Sequence, residues 1–374
     1  MEWPLSGWSI HSGVAELPSQ PDAGRARLSL LHVVGARPNL PKLAPVHRAA
    51  AARGMKQTVV HTGQHYDDEM WSQIIADLGV PAPDHDLGVG SHSHAVQTAR
   101  IMERLEPVIV ATKPDWVVVY GDVNSTLAAS LVASKLGVRT AHVEAGLRSG
   151  DRSMPEEVNR IVADRLASLL LAPTRDAEAA LCAEGEPADE IVFVGNVMID
   201  SLMHALPRAR ALEKPLRTSD APVVVTLHRP SNVDDPVRLE QIVVALEALG
   251  REHEVVFPMH PRTRERLGSR RLLGVHVVEP LGYLEMLALV DRARAVITDS
   301  GGLQEETTVL GVPCFTLRDT TERPVTVSMG TNRLVSDPAE LVKLVGQARR
   351  VSNPKVPEGW DGRAAERIVS ALER

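Results

Sequence analysis

From residue 28 onward, short apolar runs alternate with longer amphipathic stretches. Residues 28–35, 59–61, 116–121, 139–143, 169–172 and 191–195 are rich in Val, Ile and Leu and too short to be core helices, so they predict buried strands. A segment with Pro207, Pro215 and mixed charges, residues 205–221, interrupts the rhythm. It then resumes at 223–227, 255–258, 275–278, 295–298 and 314–317. Strands alternating with helices predict parallel sheets covered on both faces. The expected architecture is therefore α/β, with two doubly wound Rossmann-like domains, residues 28–204 and 205–361, facing a cleft. The tail, residues 362–374, carries helical apolar spacing at Ala365, Ile368, Val369 and Leu372 and is expected to pack back on the first domain. Residues 1–27 are rich in Pro, Ser and Gly and lack a basic start followed by an apolar core; they read as a flexible leader, not a signal peptide.

The polar punctuation of this pattern is not random. Gly35-Ala36-Arg37-Pro38, Thr62-Gly63-Gln64-His65, Gly121-Asp122, Glu144, His228-Arg229, His260 and Asp299-Ser300 all fall at or just past the C-terminal end of a predicted strand. Open parallel sheets bind ligands at that edge. Two such edges predict an active site between the domains.

The densest stretch is residues 298–324. An apolar run passes through Asp299-Ser300-Gly301-Gly302 into a helical signal that contains Glu305 and Glu306. A helix start with free N–H groups, approached by glycines, suits a phosphate, although the same residues also make an ordinary turn. Arg318 and Arg323 follow the next predicted strand, either as pyrophosphate ligands or as surface charges. Gly35-Ala36-Arg37-Pro38 with Lys42 is a second small anion seat, or a strand-to-helix loop with incidental cations; it is not GxGxxG.

Composition narrows the partners. The net charge of −7 and an aromatic content of 3% argue against nucleic acid and against anionic membrane surfaces, so an anionic ligand must be met by local cations and helix ends. No apolar run is long enough to span a bilayer. Cys182 and Cys314 form no CxxC, which argues against a zinc site or a disulfide scaffold and fits a reducing cytoplasm. His61 and His65 have ligand spacing but straddle a glycine turn, and no metal is expected. No GxSxG is present and Cys314 lies in an apolar run, which disfavours nucleophilic hydrolase chemistry.

Acids remain. Asp122 and Glu144 end neighbouring predicted strands, while Glu156 and Glu157 open a helix behind Pro155. Carboxylates crowded at one sheet edge should spread their pKa values by repulsion, the basis of general acid and base work. Asp122 could equally be a turn residue, and Glu156 and Glu157 could be helix N-terminal charges. Glu144, between apolar neighbours, is harder to explain that way. His228 and His260 could donate to a phosphate, orient another group, or be bonded loop residues.

In this order, GARPNLPK, TGQH, GDVNST, HVEAGLRSGDRSMPEEVNR, GNVMID, LHRPSNVDD, TDSGGLQEE and RDTTERP resemble the non-hydrolysing UDP-N-acetylglucosamine 2-epimerases, over residues 28–372. The resemblance implies a GT-B-like fold and a cytoplasmic homodimer. It also implies interconversion of UDP-GlcNAc and UDP-ManNAc without a cofactor, by loss and return of UDP. By resemblance, Asp122, Glu144, Glu156 and His228 are catalytic candidates, with His228 also set against the phosphates. Arg37, Ser300, Gly301 and Gly302 would hold the phosphates and Glu306 the ribose. Arg323 and Lys42 would serve the sugar or phosphate, and Leu281 to Met286 would flank the uracil. Three departures stand out: the short GDRSMPEE, the Tyr66-Asp67-Asp68-Glu69-Met70 run after GQH, and His260-Pro261-Arg262-Thr263. The last two fall where regulated relatives bind a second substrate molecule, so strong activation by UDP-GlcNAc is not expected.

Overall fold

The computed structural model describes residues 27–63, 68–213 and 218–374. Ser29–Val34 (β1), Lys56–His61 (β2), His85–Asp86 (β3), Trp116–Tyr120 (β4), Arg139–Val143 (β5), Leu169–Ala172 (β6) and Ile191–Phe193 (β7) form one parallel sheet, in the order β3-β2-β1-β4-β5-β6-β7. Val223–Thr226 (β8), Val255–Pro258 (β9), Val275–Val278 (β10), Ala295–Thr298 (β11), Cys314–Thr316 (β12) and Asn332–Leu334 (β13) form a second, in the order β10-β9-β8-β11-β12-β13. The expected α/β, GT-B-like arrangement of two doubly wound sheets is therefore what the chain adopts. Every strand read from the apolar pattern is present. β3 and β13 were not read: β3 is two exposed polar residues, and β13 is a three-residue edge strand with Asn332 and Arg333 in it. Both borrow their conformation from a neighbouring strand, which no local pattern records.

Strand order reverses between β1 and β4 in the first sheet and between β8 and β11 in the second. These are the switch points where loops diverge and a crevice opens. Register makes the loops meet there. Tyr120 pairs with Val143, so Gly121-Asp122 and Glu144 leave adjacent strands side by side. Thr226 pairs with Thr298, which sets His228 beside Asp299.

Two helices join the halves. Val197–Ala211 carries the chain away from the first sheet and packs on Leu40–Ala52, Tyr283–Arg292 and Gly301–Leu310. The interruption read from Pro207 is thus still helix as far as Ala211, and residues 214–217 lie outside the described residues. Ala364–Leu372 returns to the first sheet, where Ile368, Val369 and Leu372 join its core. Burying each of these side chains is worth about 1.5–3 kcal/mol. Trp116 Nε1 donates to the carbonyl of Leu372 at 3.1 Å, and Asp200 accepts the first N–H groups of this helix, from Ala364 at 3.1 Å and Ala365 at 2.7 Å. The leader is outside the described residues apart from Arg27.

Candidate active site

On the first sheet, Asn39 organises the loop after β1. Its side-chain oxygen accepts from the N–H groups of Gly35 and Ala36 at 3.1 and 3.0 Å, while its amide donates to the carbonyl of Tyr120 at 2.8 Å. That fixes Arg37 and the start of the helix Leu40–Ala52, which delivers a buried Lys42. Lys42 Nζ pairs with Glu144. Arg323, from the loop after β12, reaches the other carboxylate oxygen of Glu144 at 2.8 Å. Here is the reason for burying Glu144. Burial alone would raise its pKa, but Lys42 and Arg323 outweigh that and hold the carboxyl below its ordinary value. Its backbone is left-handed at φ 77°, a conformation non-glycine residues adopt at a cost. Gly121, also left-handed, leaves room beside Lys42: a Cβ there would lie 2.6 Å from Nζ.

Asp122 pairs with Arg160, which is also held by Glu157 at 2.7 Å. Glu157 in turn accepts the N–H groups of Ser149 and Gly150 at 3.0 and 2.9 Å. It is a loop organiser. Behind these acids His142 links Asp164 at 2.6 Å to the Gly121 carbonyl at 2.8 Å. Asp164 also accepts from Gly146 N–H at 3.1 Å and meets Arg148 at 2.7 Å. The HVEAGLR run is thus a buried brace that sets the turn carrying Glu144.

On the second sheet Asp299 is fully buried and collects the N–H of Arg229 at 2.9 Å, the Asn232 amide at 3.2 Å and His228 Nδ1 at 2.8 Å. Against the effect of burial, these partners, His228 foremost, hold it at about 2. Ser300 precedes the helix Gly301–Leu310, whose first turn carries no acidic side chain. The Arg323 guanidinium lies against Gly301 so closely that a Cβ would collide with it. Arg323 also meets Glu305 at 2.8 Å and Glu322 at 2.5 Å. Glu306 accepts from Tyr283 Oη at 3.0 Å. Burial pushes Glu306 up to about 7 and Glu305 up to about 6.

One pocket between the sheets is lined from both sides, by Arg37 and Lys42 opposite Ser300, Gly302, Glu306 and Arg323. Met286, near the expected base seat, also lines it, whereas Leu281 packs in the apolar cluster behind. Glu144 and Gly301 contact its Arg323 wall. Asp122 and Glu156 stand outside the lining: Asp122 is tied back by Arg160, and Glu156 is half-buried at the start of the helix Pro155–Leu166. His228 lies beside His260, with ring centroids 5.8 Å apart, and Arg37 reaches His260 across the cleft at 3.5 Å. Burial, aided by His228 and Arg37, lowers His260 to about 4.

One expectation needs correcting. Glu144 is not raised by neighbouring acids; against the effect of burial, Lys42 and Arg323 hold it below its ordinary value. The carboxyls that are raised are Glu305 and Glu306, by burial first and by their acidic neighbours second. Arg160, Asn196 and Glu305 were not singled out from the sequence, while Tyr283, within the stretch set against the uracil, bonds Glu306 instead. Arg160 had a signal in its place one helical turn after Glu156 and Glu157, whereas the partners of Glu305 are more than 15 residues away in sequence. His61 stacks on Trp71 at 3.9 Å and meets Asp86 at 3.4 Å; His65 lies outside the described residues. Among the described residues no group of three or more His, Cys, Asp or Glu could hold a metal ion.

Comparison with known proteins identifies the family. The UDP-N-acetylglucosamine 2-epimerase family profile matches residues 47–373. This chain belongs to the UDP-N-acetylglucosamine 2-epimerase family. The UDP-N-acetylglucosamine 2-epimerase of Methanocaldococcus jannaschii is 41% identical, over 92% of this chain and 99% of that one. Its crystal structure in complex with UDP-GlcNAc and UDP superposes with a TM-score of 0.87, at 40% identity over the same shares. The UDP-2,3-diacetamido-2,3-dideoxy-D-glucuronate 2-epimerase of Pseudomonas aeruginosa is 42% identical, over 93% of this chain and all of that one. The Neisseria meningitidis UDP-GlcNAc 2-epimerase bound to UDP-GlcNAc has a TM-score of 0.83 at 30% identity, covering 92% of this chain and 100% of that one. Among the described residues no helix is long and apolar enough to cross a membrane.

Proposed function

We propose that this protein interconverts UDP-GlcNAc and UDP-ManNAc without releasing the sugar, as a cytoplasmic homodimer that supplies precursors for cell-surface polysaccharide. The domains divide near residue 204, with the tail helix belonging to the first. One observation carries the reading: Arg323 lies against a glycine helix start and also pairs with the buried carboxylate of Glu144, beside a pocket lined from both sheets.

The C2 hydrogen of an acetamido hexose is not acidic until C1 becomes electron-poor. Cleavage of the C1–O bond sends its electron pair to the diphosphate of UDP, and the oxocarbenium-like C1 acidifies C2. A carboxylate then takes the C2 proton and a 2-acetamidoglucal forms. Protonation at C2 from the opposite face and return of UDP to C1 complete the inversion. Arg37, His228, Arg323 and the N–H groups at Ser300, Gly301 and Gly302 hold the departing diphosphate. Glu144, kept ionised by Lys42 and Arg323, is the acid/base residue best placed at the pocket. Asp122, once released from Arg160, reaches the sugar together with Glu156, and Glu306 takes the ribose hydroxyls. Met286 covers the uracil and Leu281 supports it from behind. Exclusion of water from the cleft during turnover separates this reaction from release of UDP and free ManNAc.

The likeness to the Pseudomonas enzyme favours a second reading, the same chemistry on a UDP-2,3-diacetamido uronic acid. Both are tested by incubating the purified protein with each UDP-sugar in D2O and following C1 and C2 by proton NMR. Deuterium at C2 together with UDP-ManNAc is the expected result. Turnover of only the uronate selects the second reading, and free ManNAc with UDP selects hydrolysis.

A further inference from the structure

Resting on the UDP-sugar reading, we propose that Glu305 is a further sugar-binding residue: its Oε2 accepts a hydrogen bond from an O–H or the acetamido N–H of the hexose, while Asn196 positions it. Glu305 is 1% exposed and belongs to the pocket lining. Its Oε1 takes the side-chain amide of Asn196 at 2.8 Å and lies 2.8 Å from Arg323 Nε. Oε2 has no hydrogen-bond partner among the described residues. A buried carboxyl oxygen left without a partner is costly unless a ligand meets it. Asn196 is fully buried and caps the helix Val197–Ala211, accepting from Met198 N–H at 2.9 Å. That gives the GNVMID motif a role, since it holds a side chain of the second sheet's helix from the segment that leaves the first sheet.

Charge decides which part of the ligand Glu305 meets. A carboxylate would repel a diphosphate, whereas a ring bearing hydroxyls and an amide offers donors to a free acceptor. Its surroundings agree, because Arg323 bridges it to Glu144, which is itself paired with Lys42 at the reacting end of the pocket. Burial, which raises this carboxyl to about 6, also lets it donate to the acetamido carbonyl in its protonated form.

The test measures UDP and UDP-GlcNAc affinity by calorimetry, and kcat and KM, for the full chain and for Glu305→Gln and Asn196→Ser. Serine keeps a cap on the helix but falls short of Glu305. The expected result for Glu305→Gln is UDP affinity within about 2-fold of wild type and UDP-GlcNAc affinity lowered about 10-fold or more, the loss of a charge-assisted hydrogen bond. Asn196→Ser loses less, in the same sugar-selective sense, and gives the answer even if the Glu305 variant is poorly folded. Equal losses for UDP and UDP-GlcNAc would reduce Glu305 to a support for Arg323 and overturn the proposal, as would no loss for either ligand. Failure of the wild-type chain to bind UDP would instead refute the function on which the proposal rests.

Discussion

Glu144 concentrates the chemistry and the strain at one residue. Its left-handed backbone can be relaxed only by glycine, so Glu144→Gly should be more stable than Glu144→Ala by about 1 kcal/mol in chemical denaturation, although both lack the carboxylate. Glu144→Gln keeps the shape and removes the base: kcat should fall by about 100-fold or more with UDP affinity little changed. Glu306 makes a pH prediction. Burial raises its folded pKa from 4.5 to about 7, so the folded state holds a proton that the unfolded chain releases. The stability this contributes is full below 4.5 and is lost as pH rises through 7. Wild type should therefore lose stability relative to Glu306→Gln between pH 5 and 8, by on the order of 3 kcal/mol, read from denaturation midpoints. Glu144 was legible from its position between Val143 and Ala145. Glu305 was not, because its meaning depends on Asn196 and Arg323, more than 100 residues before it and 18 after it in the chain.

At the scale of elements, apolar runs were enough to find the strands that form the sheet centres, since parallel strands buried on both faces carry their own signal. Helix ends were legible where capping chemistry is local, as in Gly301–Leu310 and Pro155–Leu166. The docking of Ala364–Leu372 depends on more than its apolar stripe. Asp200 caps it from another helix through two N–H groups. Asp200→Ala should cost about 1–2 kcal/mol and raise amide exchange in residues 364–372 ahead of the sheet strands, measured by hydrogen–deuterium exchange mass spectrometry.

The whole molecule closes its cleft through a few polar bridges: Arg323 to Glu144, Arg37 to His260, and Asp77, which accepts the N–H of Leu284 at 3.3 Å at the start of the helix Tyr283–Arg292. These sit around the pocket, so ligand and closure should act together. UDP at 100 times its Kd should stabilise the protein by about 2.7 kcal/mol, and Arg323→Ala should lose most of that gain in a thermal shift assay while retaining a folded far-ultraviolet spectrum. An unchanged shift in Arg323→Ala would place the diphosphate elsewhere.

Strand positions, the two-sheet architecture and the glycine-flanked helix start at Gly301 follow from the chain by itself, because hydrophobic periodicity, glycine turns and helix N-termini act within a few residues. The motif set, read as a whole, also pointed to the family. What only the tertiary structure decided is which charges neutralise which. Lys42 and Arg323 converge on Glu144 from separate sheets, Arg160 draws Asp122 back, and burial raises Glu305 and Glu306. Electrostatic pairing and desolvation depend on distance in space, and the partners come from loops that only sheet register and the packing of one sheet's helices on the other's bring together.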